Sequence, residues 1–365
     1  MSLSTIAVLF SGDNSAVAVY LLLILACLVA VFLILRNRPQ DARRYLFAEV
    51  IYGTVAGALP FALAHDFFEI IQLLAYGCFL GGVAFLIICG CLARKKLKMM
   101  ASMFFAIAWV VSVVGIDAFL LEPTALELTH FTIKNDKLSK PLKIAVAADL
   151  QTDNIGAYER GALKKIMDEK PDLILLAGDY LQVWSYDELN DQTKKLKQAL
   201  KDTGFGAPLG VYAVMGNVED ASWPTLFSDL KGKCFEKTES IAVGEVTLTG
   251  LGFNDSFNDQ LKIAPSRRMH IVFGHGPDFS LSRFDADLLI AGHTHGGQVQ
   301  IPGIGPIFTF SKVPRAWAQG GLIQMDDGRT LIISRGIGLE RHHAPRLRFL
   351  CRPQIVIVDV LPDKK

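Results

Sequence analysis

The sequence predicts an α/β domain preceded by an all-α membrane domain of about four transmembrane helices. Three observations carry this. Apolar residues crowd the first third of the 365 residues in long runs with almost no charge. Past Glu122-Pro123, short apolar runs alternate with amphipathic segments at helical spacing. Several of those apolar runs end abruptly in Asp, Asn or His.

Spans are expected near residues 16–35, 47–64, 67–92 and 100–121, each long enough to cross a bilayer. No basic residue precedes the first, so a cleavable signal peptide is the poorer reading. Glu49, Glu69 and Asp117 fall within or beside the spans; headgroup depth accounts for them more simply than an intramembrane function does. Arg36, Arg38, Arg43 and Arg44 follow the first span, and Arg94, Lys95, Lys96 and Lys98 follow the third. The turn at His65-Asp66 has no Lys or Arg. Basic loops stay in the cytoplasm, so the domain after the fourth span is expected outside, on a multi-pass cell-membrane protein. The division is 1–122 for the membrane domain and 123–365 for the rest.

In the second part, residues 124–133 alternate as a strand, and Ile144–Ala148, Leu173–Ala177, Val211–Met215, His270–Gly274 and Ala286–Ala291 are apolar strands. Residues 158–169, stopped by Pro171, and residues 187–201 have helical spacing. Ile301 to Pro306 is a rigid Pro/Gly loop, Asp326-Asp327-Gly328 turns a hairpin, and Ile355–Val360 closes the domain. The formal net charge of +1 gives no reason to expect nucleic-acid binding. Six cysteines form no Cys-x-x-Cys, which disfavours a zinc ribbon or a thioredoxin-like site, and a Cys234–Cys351 disulfide cannot be argued from spacing.

The strand ends carry the chemistry. They read Asp149-Leu150-Gln151, Gly178-Asp179, Gly216-Asn217-Val218-Glu219, His275, and Gly292-His293-Thr294-His295-Gly296-Gly297-Gln298. Two histidines two residues apart just past a strand can face one cavity, and imidazole suits first-row metals. Each motif alone has a plainer reading, as a turn or a satisfied core histidine. The ordered set is harder to explain that way.

In that order the motifs resemble those of the calcineurin-like metallophosphoesterases: Asp-x-His, Gly-Asp, Gly-Asn-His-Asp/Glu, His, Gly-His-x-His. The longer Gly292–Gln298 wording, with Arg335-Gly336 and Arg348-Phe349, looks like the family's membrane-associated phosphodiesterase branch, over residues 123–361. The resemblance implies a four-layer β-sandwich flanked by helices, with two divalent ions (Mn, Fe or Zn, with Mn favoured) at the strand ends. Asp179 would bridge them, Asp149 and His295 would hold one, and Asn217, His275 and His293 the other. It implies hydrolysis of a phosphodiester or pyrophosphate.

Two positions depart from the pattern. Gln151 stands where the family has His; its carbonyl is a weaker, harder donor, which points to weakened or manganese-like selectivity. Val218 stands where the family has the histidine that assists the leaving group, and valine cannot donate a proton. Glu219, His342 and His343 are the alternative proton sources. The competing reading is a catalytically weak metal-binding membrane module, a sensor or scaffold. Arg335, Arg341, Arg346 and Arg348 either pair phosphate or meet solvent. Phe308, Phe310, Lys312, Arg315 and Trp317 suit a membrane interface and a lipid-linked substrate, or ordinary surface packing.

Overall fold

The computed structural model describes residues 15–363, which divide into two compact units. One holds the described residues through Leu120 together with His342–Arg346; the other holds Leu121–Arg341 and Leu347 onward. The stretch before the first span, on which the signal-peptide reading rests, lies outside the described residues.

In the first unit four helices are long and apolar enough to cross a membrane: α1 (Ser15–Arg36), α2 (Ala42–Leu63), α3 (Phe67–Ala93) and α4 (Lys98–Thr124), the last ending in the second unit. α2 begins before the expected start because Asp41 caps it, accepting from the Arg43 amide at 3.1 Å. Asp66 caps α3 in the same way, accepting from the Glu69 amide at 2.8 Å. Glu69, 1% exposed, accepts from the His65 amide at 2.7 Å, so its burial has a local structural partner. A π-helical segment, Gly77–Gly82, interrupts α3 where Tyr52 donates to the Gly77 carbonyl at 2.6 Å. A Cβ at Gly77 would lie 2.2 Å from the Tyr20 hydroxyl, so glycine is what admits that ring. Tyr20 in turn donates to the Ala56 carbonyl at 2.9 Å, satisfying a hydroxyl that lipid could not.

The second unit is a mixed α/β domain with two six-stranded sheets. Their strands are β1 (Glu127–Asn135), β2 (Leu142–Ala147), β3 (Leu173–Leu176), β4 (Val211–Val214), β5 (Gly232–Phe235), β6 (Glu239–Val243), β7 (Val246–Gly250), β8 (Met269–Phe273), β9 (Leu288–Ala291), β12 (Gly321–Gln324), β13 (Thr330–Ile333) and β14 (Gln354–Pro362). A separate hairpin pairs β10 (Gln300–Ile301) with β11 (Gly305–Pro306). The first sheet runs β1-β14-β2-β3-β4-β5 and the second β12-β13-β9-β8-β7-β6. Parallel pairing joins β2 through β5 in the first sheet, and β7, β8, β9 and β13 in the second.

Parallel strands need both faces covered, which explains their unbroken apolar runs. Ile144, Val146, Leu175, Phe235, Ile271, Phe273 and Ile290 fill the layer between the sheets. α5 (Ala157–Asp168) and α6 (Tyr186–Asp202) cover the first sheet's outer face through Leu163, Ile166, Leu196 and Leu200. The second sheet's outer face is covered by irregular chain and short helical turns, through Leu261, Phe279, Val313 and Ala318. β5 and β6 escape sequence reading: Gly-Lys-Cys-Phe and Glu-Ser-Ile-Ala-Val are short and buried only at their last residues, so neither shows a clean period.

Candidate metal centre

Aligned parallel strands end at one edge, and the polar residues sit just past those ends. The backbone there is unusual. Asp149, Gln151, Asp179, His293 and His295 all have positive φ, at 49°, 26°, 55°, 69° and 48°. Non-glycine residues rarely adopt this region and do so mainly where surrounding structure enforces it. The enforcement is visible: the Asp149 amide donates to Gly178 O at 2.9 Å, and the Gln151 amide to Asp179 O at 2.9 Å. The flanking glycines are required by space as well. A Cβ at Gly216 would stand 2.1 Å from Asp179 Oδ1, and one at Gly292 2.7 Å from Asp149 Oδ2.

These turns bring Asp149, Asp179 and His275 together, with one ligand atom from each lying within 4.8 Å of the others. All three are at most 1% exposed. His275 Nε2 is 3.4 Å from Asp179 Oδ2, and its Nδ1 is 3.8 Å from Asp149 Oδ1. His295 Nε2 is likewise 3.8 Å from Asp149 Oδ1. The opposite side opens to solvent, where Asn217 is exposed and His293 half-buried.

The imidazoles are oriented by main chain. His275 Nδ1 lies 2.9 Å from Ala177 O and His293 Nε2 lies 3.2 Å from Phe310 O, so those nitrogens carry the hydrogens. The lone pairs of His275 Nε2 and His293 Nδ1 are left 3.2 Å apart, converging on Asn217 Oδ1 at 2.9 and 3.1 Å. Three acceptors facing one another need a proton or a cation between them. Both ring nitrogens of buried His295 lack a hydrogen-bond partner among the described residues, as does Gln151 Oε1. These orphaned atoms are what a divalent ion would satisfy, and carboxylate, amide oxygen and imidazole together suit first-row ions. The residues present therefore fit a metal.

Without metal the charges strain against each other. Burial, then the Asp179 charge, raises the Asp149 carboxyl. Burial opposes ionisation of Asp179 as well, but the His275 imidazolium holds it below the ordinary range. Burial would depress His275, yet the carboxylates of Asp179 and Asp149 lift it to about 10. Burial and the His275 charge lower His293 to about 4, and burial with the Arg348 charge holds His295 well below its ordinary value.

The remaining candidates sit as follows. Gln151 points its amide nitrogen at Gln182 Oε1 (3.0 Å) and Glu340 Oε2 (3.1 Å). Because Gln182 itself donates to Glu340 at 2.7 Å, both contacts are acceptors, and the Gln151 carbonyl is turned away from them. The Val218 amide donates to Asp179 Oδ1 at 3.1 Å; its side chain offers nothing polar. The Glu219 carboxylate accepts from the amides of Tyr180 (2.6 Å), Gly216 (2.7 Å) and Asp179 (3.0 Å), tying two strand-end turns together. Burial, then the Asp179 charge, pushes it up to about 8. His342 and His343 group with the membrane unit, where His343 Nδ1 is 2.7 Å from Asp66.

Sequence reasoning missed several supports. Fully buried Arg348 neither pairs phosphate nor meets solvent: it donates to the carbonyls of Arg335, Gly338, Cys351 and His295 at 2.7, 2.7, 3.0 and 3.3 Å. Arg335 pairs with Glu127 at 2.7 Å. Gln182 carries no pattern signal at all, while Glu340 lies in a run singled out for its histidines. Cys234 and Cys351 are free thiols in different settings, near Pro224 O and His295 O.

Comparison with known proteins agrees with this geometry. The family model described as calcineurin-like phosphoesterase matches residues 142–297. Residues 142–297 are thus similar to a calcineurin-like phosphoesterase domain, and helices long and apolar enough to span a membrane precede them. It is 29% identical over 262 residues to an uncharacterized metallophosphoesterase of Bacillus subtilis strain 168, YkuE, covering 65% of this chain and 86% of that protein. An uncharacterized metallophosphoesterase of Aquifex aeolicus strain VF5 is 26% identical over 66% of this chain and 94% of its own length. Phosphodiesterase YaeI of Escherichia coli strain K12 is 27% identical over 60% of this chain and 83% of its own.

Proposed function

We propose that residues 123–365 form a metallophosphoesterase domain on a multi-pass anchor of residues 1–122, and that it binds divalent metal and hydrolyses phosphoesters whose leaving groups need little help. The buried convergence of Asp149, Asp179 and His275 carries this reading. The two sheets, with helices outside one and short turns outside the other, support a four-layer arrangement. Two ions are proposed, manganese being favoured by the oxygen-rich donors. Asp149, Gln151, Asp179 and His295 would hold one, with Asp179 shared, and Asn217, His275 and His293 the other. Bound divalent ions would acidify water into a nucleophile at neutral pH and neutralise phosphoryl oxygens.

The chain's own residues do the rest. The Ala177 and Phe310 carbonyls hold the two imidazoles in one tautomer. The exposed side at Asn217 and half-buried His293 admits substrate. No side chain at Val218 can protonate a departing oxygen, which favours phosphoanhydrides or acidic phosphodiesters, lipid-linked ones included. The charge pattern of the loops supports an extracytoplasmic domain. Of the alternative proton sources, Glu219 is committed to three amides, and His343 to Asp66.

Those commitments favour a second reading, in which the domain binds metal and turns over weakly or not at all, as a sensor or scaffold. Metal binding is common to both and is better supported than turnover. The full chain, purified in detergent and supplied with manganese, is expected to retain metal and release nitrophenol from an aryl phosphodiester; Asp179→Asn is expected to lose both. Retained metal with no turnover on aryl diester or pyrophosphate selects the second reading. Equal metal retention by the wild type and Asp179→Asn overturns both.

A further inference from the structure

The β10–β11 hairpin is an apolar finger. Ile301, Ile304, Ile307 and Leu350 are 37%, 56%, 44% and 52% exposed, where a water-soluble surface would scatter such side chains singly. The hairpin is held beside Leu350 because the Gln300 amide donates to Phe349 O and the Phe349 amide to Gln298 O, both at 2.9 Å. Leu350 is itself fastened to the chain's exit from α4: its amide donates to Glu122 Oε2 at 2.8 Å, and the Cys351 amide donates to the other oxygen. A groove of about 440 Å3 separates the hairpin from the Arg315–Ala318 turn, with Ile301, Ile304 and Leu350 on one side and Arg315 on the other. Arg315 is exposed and makes no ion pair among the described residues.

We propose that this edge dips into the bilayer interface, with the isoleucines and Leu350 among acyl chains and Arg315 on a phospholipid phosphate. Glu122 lies in the last turn of a helix long enough to span the membrane, so groups bonded to it stand at headgroup level. Apolar side chains across a groove from an exposed cation match the two chemistries of a leaflet's surface, acyl chains and phosphates. Phe310, which follows the hairpin, touches His293 of the candidate centre through its carbonyl, so the same chain segment links lipid and metal site. The inference builds on the membrane-anchored reading but needs no turnover, and its test reads lipid contact alone.

The test uses the full chain in nanodiscs, with Trp109→Phe as background because Trp109 is exposed on a span. Ile304→Trp and, separately, Leu350→Trp report depth; Leu281→Trp, beside Met269 and Asp287 where β8 and β9 begin, is the control. Phosphatidylcholine with dibrominated chains is expected to quench the added emission at 304 and 350 several-fold more than at 281. Quenching no greater than at 281 overturns the proposal. If that unquenched emission is also blue-shifted, the edge is buried against protein, a second copy included.

Discussion

The two sheets bring different chemistry to one edge. The first, through β2, β3 and β4, supplies oxygens from Asp149, Gln151, Asp179 and Asn217. The second, through β8 and β9, supplies nitrogens from His275, His293 and His295. Both departures from the family's motif, Gln151 and Val218, lie on the oxygen side. The support differs in kind. His275 and His293 are oriented by backbone carbonyls, which no substitution removes. Gln151 is oriented by the side chains of Gln182 and Glu340, which a substitution can change. Two imidazoles thus rest on main chain, while the Gln151 amide rests on side chains.

The comparison breaks first at Arg348, whose guanidinium joins the His295 carbonyl of one side to the Gly338 carbonyl behind the other. Arg348→Met leaves several buried carbonyls without donors, so thermal unfolding of the metal-free protein is expected to show a loss of about 3–5 kcal/mol. A change near zero would mean that the two sides do not depend on that clamp.

Val218→His restores an imidazole on the oxygen side. If missing proton donation limits turnover, kcat for an alkyl phosphodiester should rise by about 100-fold, with little gain for an aryl one. An equal gain on both would place the effect in binding instead. Gln151→His replaces an oxygen donor by nitrogen, and zinc affinity relative to manganese is expected to rise about tenfold in competition titrations. An unchanged ratio would remove Gln151 from the ligand set.

The smallest effect is a pH trend. In the metal-free protein Asp149, Glu219 and His275 all titrate above their ordinary values, Glu219 at about 8 and His275 at about 10. A raised value contributes stability below the unfolded pKa and loses it as pH climbs through the folded one. The metal-free Tm should therefore fall between about pH 6 and 9. Metal requires its ligands deprotonated, so the rise in Tm on adding manganese should widen over the same range. A constant gap would exclude Asp149 and His275 as ligands.

Much of this was legible beforehand. The four candidate spans follow from uncharged length, and Asp149, Asp179 and His275, which the structure brings together, stand out in the sequence because apolar runs end in polar residues. The edges of the domain were harder. β5 and β6 are short and half-exposed, and the hairpin at 300–306 looked like a rigid loop because its Pro and Gly mask its pairing. Gln182 bears no local mark and Glu340 is marked only by its neighbours, since their role lies in a contact across 158 positions.

The amino-acid order by itself determined the membrane segments, the strand cores and the types of donor atom, because these depend on hydropathy, period and side-chain chemistry within a few residues. Only the tertiary structure decided that Arg348 clamps carbonyls, that Glu219 is consumed by amides, and that ring nitrogens of two histidines and the amide oxygen of one asparagine face each other. Those outcomes depend on where distant backbone groups end up, and no local pattern encodes that.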